Sequence, residues 1–133
     1  MIDHLSTYAT HYEITKSFYE QAFQPLGYSL TTEFTTTEED DEEFPGRRIC
    51  SFGKEGTTTF WVIETKQRAT PRHVAFTAHS EQAVDAFYQT ALKAGARDNG
   101  TPGLRPHYHP GYYGAFVFDP DGNDIEAVFH GPS

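Results

Sequence analysis

The sequence repeats itself at an offset of 69 residues. His4 matches His73, and Phe18-Tyr19 matches Phe87-Tyr88. At the same offset Leu5 meets Val74, Ala9 meets Ala78 and Ala22 meets Ala91. A chain patterned twice is expected to fold as two copies of one supersecondary unit, each burying its apolar face with the help of the other. The choice of fold thus reduces to what one unit is.

The first copy begins with a strand over 2–9. A helix follows from about Tyr12 to Phe23, with Ile14, Phe18 and Ala22 spaced four apart, and Pro25 and Gly27 end it. Tyr28–Phe34, Arg48–Phe52 and Thr58–Ile63 read as three further strands. The second copy begins with the strand Arg72–Ala78. Ser80 is placed as an N-cap with Glu81 in the first turn, and Val84, Phe87, Tyr88, Ala91 and Leu92 form a helical stripe that stops at Gly95. A short strand is expected near Ala96-Arg97, then a Gly/Pro-rich loop over 99–113. A hairpin ends the copy: apolar Ala115–Phe118, the turn Asp119-Pro120-Asp121-Gly122-Asn123, and apolar Ile125–Phe129. Each copy is therefore β-α-β-β-β. The fold class is α+β, with two βαβββ modules in tandem at 1–66 and 71–130 of a single domain spanning 1–133.

The net charge of −9 argues against nucleic acid and anionic membranes as partners. Much of the excess is one run, Glu38–Glu43, inside the loop 35–46, and it is expected to be solvated and poorly ordered. Only 37% of residues are hydrophobic, so the eleven Phe and eight Tyr must supply much of the core. No apolar run reaches membrane-spanning length and no charged-then-apolar leader precedes the first strand. The one cysteine, Cys50, precludes an internal disulfide and fits a reducing compartment, the cytoplasm; its apolar strand marks it as a small buried residue.

One carboxylate, Glu126, interrupts the last apolar strand. Desolvating a carboxylate costs several kcal/mol, roughly, unless a cation or donors compensate. His4 and His73, at matching points of the two first strands, are the groups to meet it. Two imidazoles and one carboxylate suit a divalent first-row metal with positions open to substrate. The same three groups also suit a hydrogen-bonded polar network without metal.

The residues Ile2-Asp3-His4, Ser17-Phe18-Tyr19, His73-Val74-Ala75-Phe76, Val84–Tyr88 and above all Phe118-Asp119-Pro120-Asp121-Gly122-Asn123-Asp124-Ile125-Glu126 resemble the vicinal oxygen chelate superfamily. That superfamily includes glyoxalase I, extradiol dioxygenases and the fosfomycin- and bleomycin-resistance proteins. The resemblance implies curved mixed sheets enclosing a cleft, a homodimer, and a metal held at His4, His73 and Glu126. Its metal would be Fe, Mn, Ni or Zn, and metal-free members are also implied. Glyoxalase I-like members carry a further glutamate on the last strand of the first module. Here that position falls on Phe60 or Trp61, and Glu64 comes three residues late, so a three-ligand, dioxygenase-like site is expected instead.

The stretch Gly103–Tyr113 concentrates Arg, His and Tyr beside the hairpin. His107, His109 and Tyr113 are candidates for acid–base catalysis, and Arg105, Trp61 and Tyr112 for substrate binding. His11, His79 and His130 are read as surface residues. Two functions follow. One is a metal-dependent isomerase, lyase or ring-cleaving oxygenase that chelates a small oxygen-rich molecule and stabilises an enolate-type anion. The other is a metal-free, drug-sequestering type of binding protein whose groove is lined by Trp61, Phe76, Phe116 and tyrosines.

Overall fold

The structure, a computed structural model, describes residues 2–132. The first module holds β1 (Leu5–Ala9), α1 (Tyr12–Ala22), β2 (Ser29–Thr35), β3 (Arg48–Lys54) and β4 (Thr57–Glu64). The second holds β5 (His73–Thr77), α2 (Glu81–Lys93), β6 (Arg97–Leu104), β7 (Tyr112–Phe118) and β8 (Asp124–His130). The sheets have the orders β1-β4-β3-β2 and β5-β8-β7-β6. In each, the first strand runs parallel to the last and the other pairs are antiparallel. Neither sheet closes, and among the described residues no helix is long and apolar enough to cross a membrane.

The two helices start differently. Ser80 accepts a hydrogen bond from Ala83 N (3.0 Å) and caps α2 in the expected way. At the start of α1, His11 provides no side-chain cap. Asp121 of the other module's hairpin turn instead accepts from Thr10 N (2.9 Å) and Thr10 Oγ1 (2.7 Å), one residue before. The apolar face of α1 is also rotated from the expected one. Thr15, Phe18, Tyr19 and Ala22 are buried while Ile14 is 61% exposed.

Each helix covers one face of its own sheet, and the helices pack on each other, so both covered faces share one core. Phe23 is its centre, with ring centroids 5.4, 5.8 and 4.8 Å from Phe52, Phe60 and Phe76. Phe76 thus packs in the core, and it also borders a recess of about 330 Å³ with Leu5, Tyr28 and Phe60. Cys50 is fully buried, and desolvation pushes its thiol up to about 11. The opposite face of each sheet carries no helix.

The hairpin turn ties the modules together. Buried Asp119 accepts from Tyr19 Oη (2.5 Å), Asp121 N, Asn123 N and Asn123 Nδ2 (2.9 Å each). Arg68 donates twice to Asp121 O, and Arg72 Nη1 reaches Ser6 O (3.1 Å).

Two expectations are corrected. The stretch expected to be a loop over 99–113 begins inside β6, which runs to Leu104, and ends inside β7; only the part between them is loop. Gly100, Pro102 and Gly103 are tolerated because β6 is an edge strand with two breaks in register. The acidic run is also better anchored than its charge suggests. Asp41 bonds Arg47 Nε (2.6 Å) and Asp40 accepts from Thr37, while Glu38, Glu39, Glu42 and Glu43 remain exposed.

Candidate functional site

Strand alternation on β8 sends Ile125 and Ala127 into the core and Glu126 to the helix-free face. Ala75 and Phe116 flank it in the ladder. Glu126 is nevertheless only 1% exposed. Its cover comes from the sheet's own side chains, and Gly114 leaves the space it needs. A Cβ there would stand 3.3 Å from Glu126 Oε2 and 3.2 Å from Tyr112 Cε1.

Both carboxylate oxygens have partners. His73 Nε2 lies 2.9 Å from Oε1, and Tyr112 Oη donates to Oε2. Burial, then the hydrogen bond to Glu126, raises the Tyr112 phenol well above its ordinary value near 10. His73 keeps a half-open side chain, its ring 6.3 Å from Phe116. Of the three residues expected to hold a metal, His73 and Glu126 therefore come together. Their 2.9 Å separation, a hydrogen bond here, is also about that of adjacent ligands on an octahedral ion bound at about 2.0–2.2 Å.

His4 does not join them within one chain. It precedes β1, bonds Asp3 (2.7 Å), and lines a recess on the open face of the first sheet with Phe34, Ile49, Trp61 and Ile63. Among the described residues no three His, Cys, Asp or Glu side chains are grouped to hold a metal. Within one chain, His73 and Glu126 are thus two groups of a kind that can ligate a divalent ion, and His4 is not beside them.

Register settles the question of the fourth ligand. Ser6 pairs with Trp61 as Ala75 pairs with Glu126, so Trp61 holds the position equivalent to Glu126. Glu64 ends β4 in a two-point ion pair with Arg48, whose guanidinium holds the carboxylate below its usual range.

The remaining candidates scatter. Tyr113 lies on the helix-bearing face, where its hydroxyl donates to Asp85 (2.6 Å), a bond that with burial pushes it up to about 12. His107 packs at a tilt against Tyr108, ring centroids 4.4 Å apart, in the loop. His109 Nδ1 bonds Pro110 O (2.9 Å), and its ring stacks on His130 at 5.0 Å. Arg105 lies over Phe116, 5.5 Å from the ring centroid, on the same sheet face as Glu126. Tyr112, expected to bind substrate, instead donates to Glu126, and Gly114, not among the expected site residues, makes room for both. The alternation Tyr112-x-Gly114-x-Phe116 opposite Glu126 was the available signal.

A family model described as the Glyoxalase/Bleomycin resistance protein/Dioxygenase superfamily matches residues 1–127. The chain belongs to that superfamily. Among solved structures it is similar to a glyoxalase/bleomycin resistance protein from Albidiferax ferrireducens, at 24% identity and TM-score 0.74 over 97% of this chain and 98% of that one. It is also similar to a glyoxylase/bleomycin resistance protein/dioxygenase domain from Frankia sp. (15%, TM-score 0.72, 100% and 93%). A lactoylglutathione lyase from Agrobacterium tumefaciens aligns at 16% identity and TM-score 0.65 over 97% and 92%. At these identities the likeness is one of fold. No curated protein gives a significant match.

Proposed function

We propose that this protein is a divalent-metal-dependent enzyme acting on a small oxygen-rich molecule, as an isomerase, lyase or ring-cleaving oxygenase. The observation that carries this reading is Glu126, buried on a helix-free sheet face with His73 Nε2 at ligand spacing. A carboxylate in that position is costly without compensation and useful with it. His73 and Glu126 would hold the ion, with His4 of a second copy as third ligand in a homodimer. A divalent ion there supplies Lewis acidity toward two neighbouring substrate oxygens.

The chain's own residues do the rest. Tyr112 fixes the rotamer of Glu126 and, with its raised ionisation, holds a proton at Oη at neutral pH; it suits a donor better than a base. His109, its ring 5.1 Å from that of Tyr112, and His107 in the same loop are the imidazoles placed to move a proton, and Cys50, buried as a lone thiol, suits a reducing compartment such as the cytoplasm.

A second reading, metal-free small-molecule binding, is favoured by one fact: both Glu126 oxygens already have protein donors. The recess beside Trp61, about 400 Å³, would then take an apolar ligand. Metal analysis of tag-free protein separates the two, before and after loading with Fe(II), Mn(II), Ni(II) and Zn(II). About one ion per chain, lost in both His73→Ala and His4→Ala, is expected. No ion under any loading leaves the second reading.

A further inference from the structure

Beside Phe116, on the face that carries Glu126, lies a recess of about 340 Å³ lined by Asn99, Gly100, Arg105, Tyr108, Phe116 and Asp124. Its guanidinium is deliberately housed. Arg105 Nη1 donates to Gly103 O (2.9 Å) and Nη2 to Thr101 O (2.7 Å), while the charge lies over the Phe116 ring. Two glycines make the room. A Cβ on Gly100 would come within 2.9 Å of Phe116 Cδ1 and 3.4 Å of Arg105 Nη2, and one on Gly103 within 3.2 Å of Nη1.

Two carbonyls use two of the five guanidinium hydrogens, leaving three. Among the described residues no carboxylate forms an ion pair with Arg105. The same recess holds the opposite deficiency. Asp124 Oδ1 is buried with no hydrogen-bond partner, an arrangement that costs roughly 1–3 kcal/mol or more for a polar group. Arg105, a cation with no paired anion, and Asp124, with one oxygen lacking a donor, thus line the same recess.

We infer that this recess binds a small monocarboxylic acid bearing a hydroxyl or ammonium group next to its carboxylate. Arg105 takes the carboxylate and Asp124 Oδ1 accepts from the neighbouring donor. The inference deepens the proposed function and rests on it for placing this recess next to the reacting centre at His73 and Glu126. Asp124 also repels a second anionic group, so dicarboxylates bind more weakly than monocarboxylates.

The test is an NMR titration of chelator-treated protein, following the Gly100 and Gly103 amides and the Arg105 Nε–H. The probes are lactate, alanine, propionate and methyl lactate. Lactate and alanine are expected to shift these signals saturably, and propionate to bind several-fold more weakly. That gap should close in Asp124→Asn, and Arg105→Gln should weaken lactate at least tenfold. Methyl lactate binding as tightly as lactate, propionate equalling lactate, or no probe binding would each overturn the inference. The ester and propionate comparisons need no variant, so a misfolded substitution does not blunt the test. Carboxylate binding in protein that takes no metal would retain this inference and sink the metal reading; metal uptake without carboxylate binding would do the reverse.

Discussion

Trp61 stands in the first sheet where Glu126 stands in the second: each pairs with the residue two positions after its module's matching histidine, Ser6 after His4 and Ala75 after His73. The duplicated scaffold therefore offers an indole on one open face and a carboxylate on the other. Trp61→Glu should place a carboxylate at the position equivalent to Glu126. Calorimetry is expected to show roughly tenfold tighter divalent-metal binding, with Trp61→Gln giving no such gain. Loss of the edge contact with Phe34 should cost about 1 kcal/mol of stability.

The cover of Glu126 can be loosened from two sides. Tyr112→Phe removes one donor and should cost about 1–2 kcal/mol in a denaturant melt. Gly114→Ala touches no polar atom directly yet crowds Oε2, and should cost about 1 kcal/mol. Both are expected to weaken metal binding while leaving far-UV dichroism unchanged. Unaltered metal affinity in both would show that Glu126 does not depend on its neighbours for position.

Asp119 should be far more sensitive than its place in a turn suggests. Asp119→Ala strands the Tyr19 hydroxyl, two backbone N–H groups and the Asn123 amide in a buried junction. A loss of about 3 kcal/mol or more is expected, lowering Tm by roughly 10 °C. Arg48→Ala, which breaks a partly exposed pair with Glu64, should cost about 1 kcal/mol or less.

Stability should fall at both ends of the pH range. Lys16, then Tyr12, hold Glu33 below the usual carboxylate range, and Arg48 does so for Glu64. A lowered folded value contributes stability above the unfolded value and loses it as pH falls through the folded one. Burial raises Tyr12, Tyr19 and Tyr112, so their contribution is present below about pH 10 and is lost as pH climbs beyond it. Urea melts from pH 3 to 11 should show a plateau between these limbs. In the same plateau Cys50 should resist thiol reagents until urea unfolds the chain.

Much of this was legible in the residues because it is local. The α2 stripe, its Ser80 cap and the Asp119–Asn123 turn each depend on neighbours a few positions away, and the offset of 69 exposed the duplication. The face that α1 buries is not legible from its own spacing, which puts Ile14 inside, because burial there depends on packing against the other module. Strand β6 was missed because glycine and proline argue against strands except at an edge, and which strand is an edge is a property of the sheet.

The sequence by itself determined the paired βαβββ modules, the core aromatics and the identity of the inward acid. Tertiary structure alone decided which groups meet that acid. Periodicity assigns a side chain to one face of its own strand, but contact between strands depends on register and on how sheets are set against one another. That is why His73 reaches Glu126, Tyr112 arrives from the neighbouring strand, and His4, alike in sequence to His73, stands beside the other sheet.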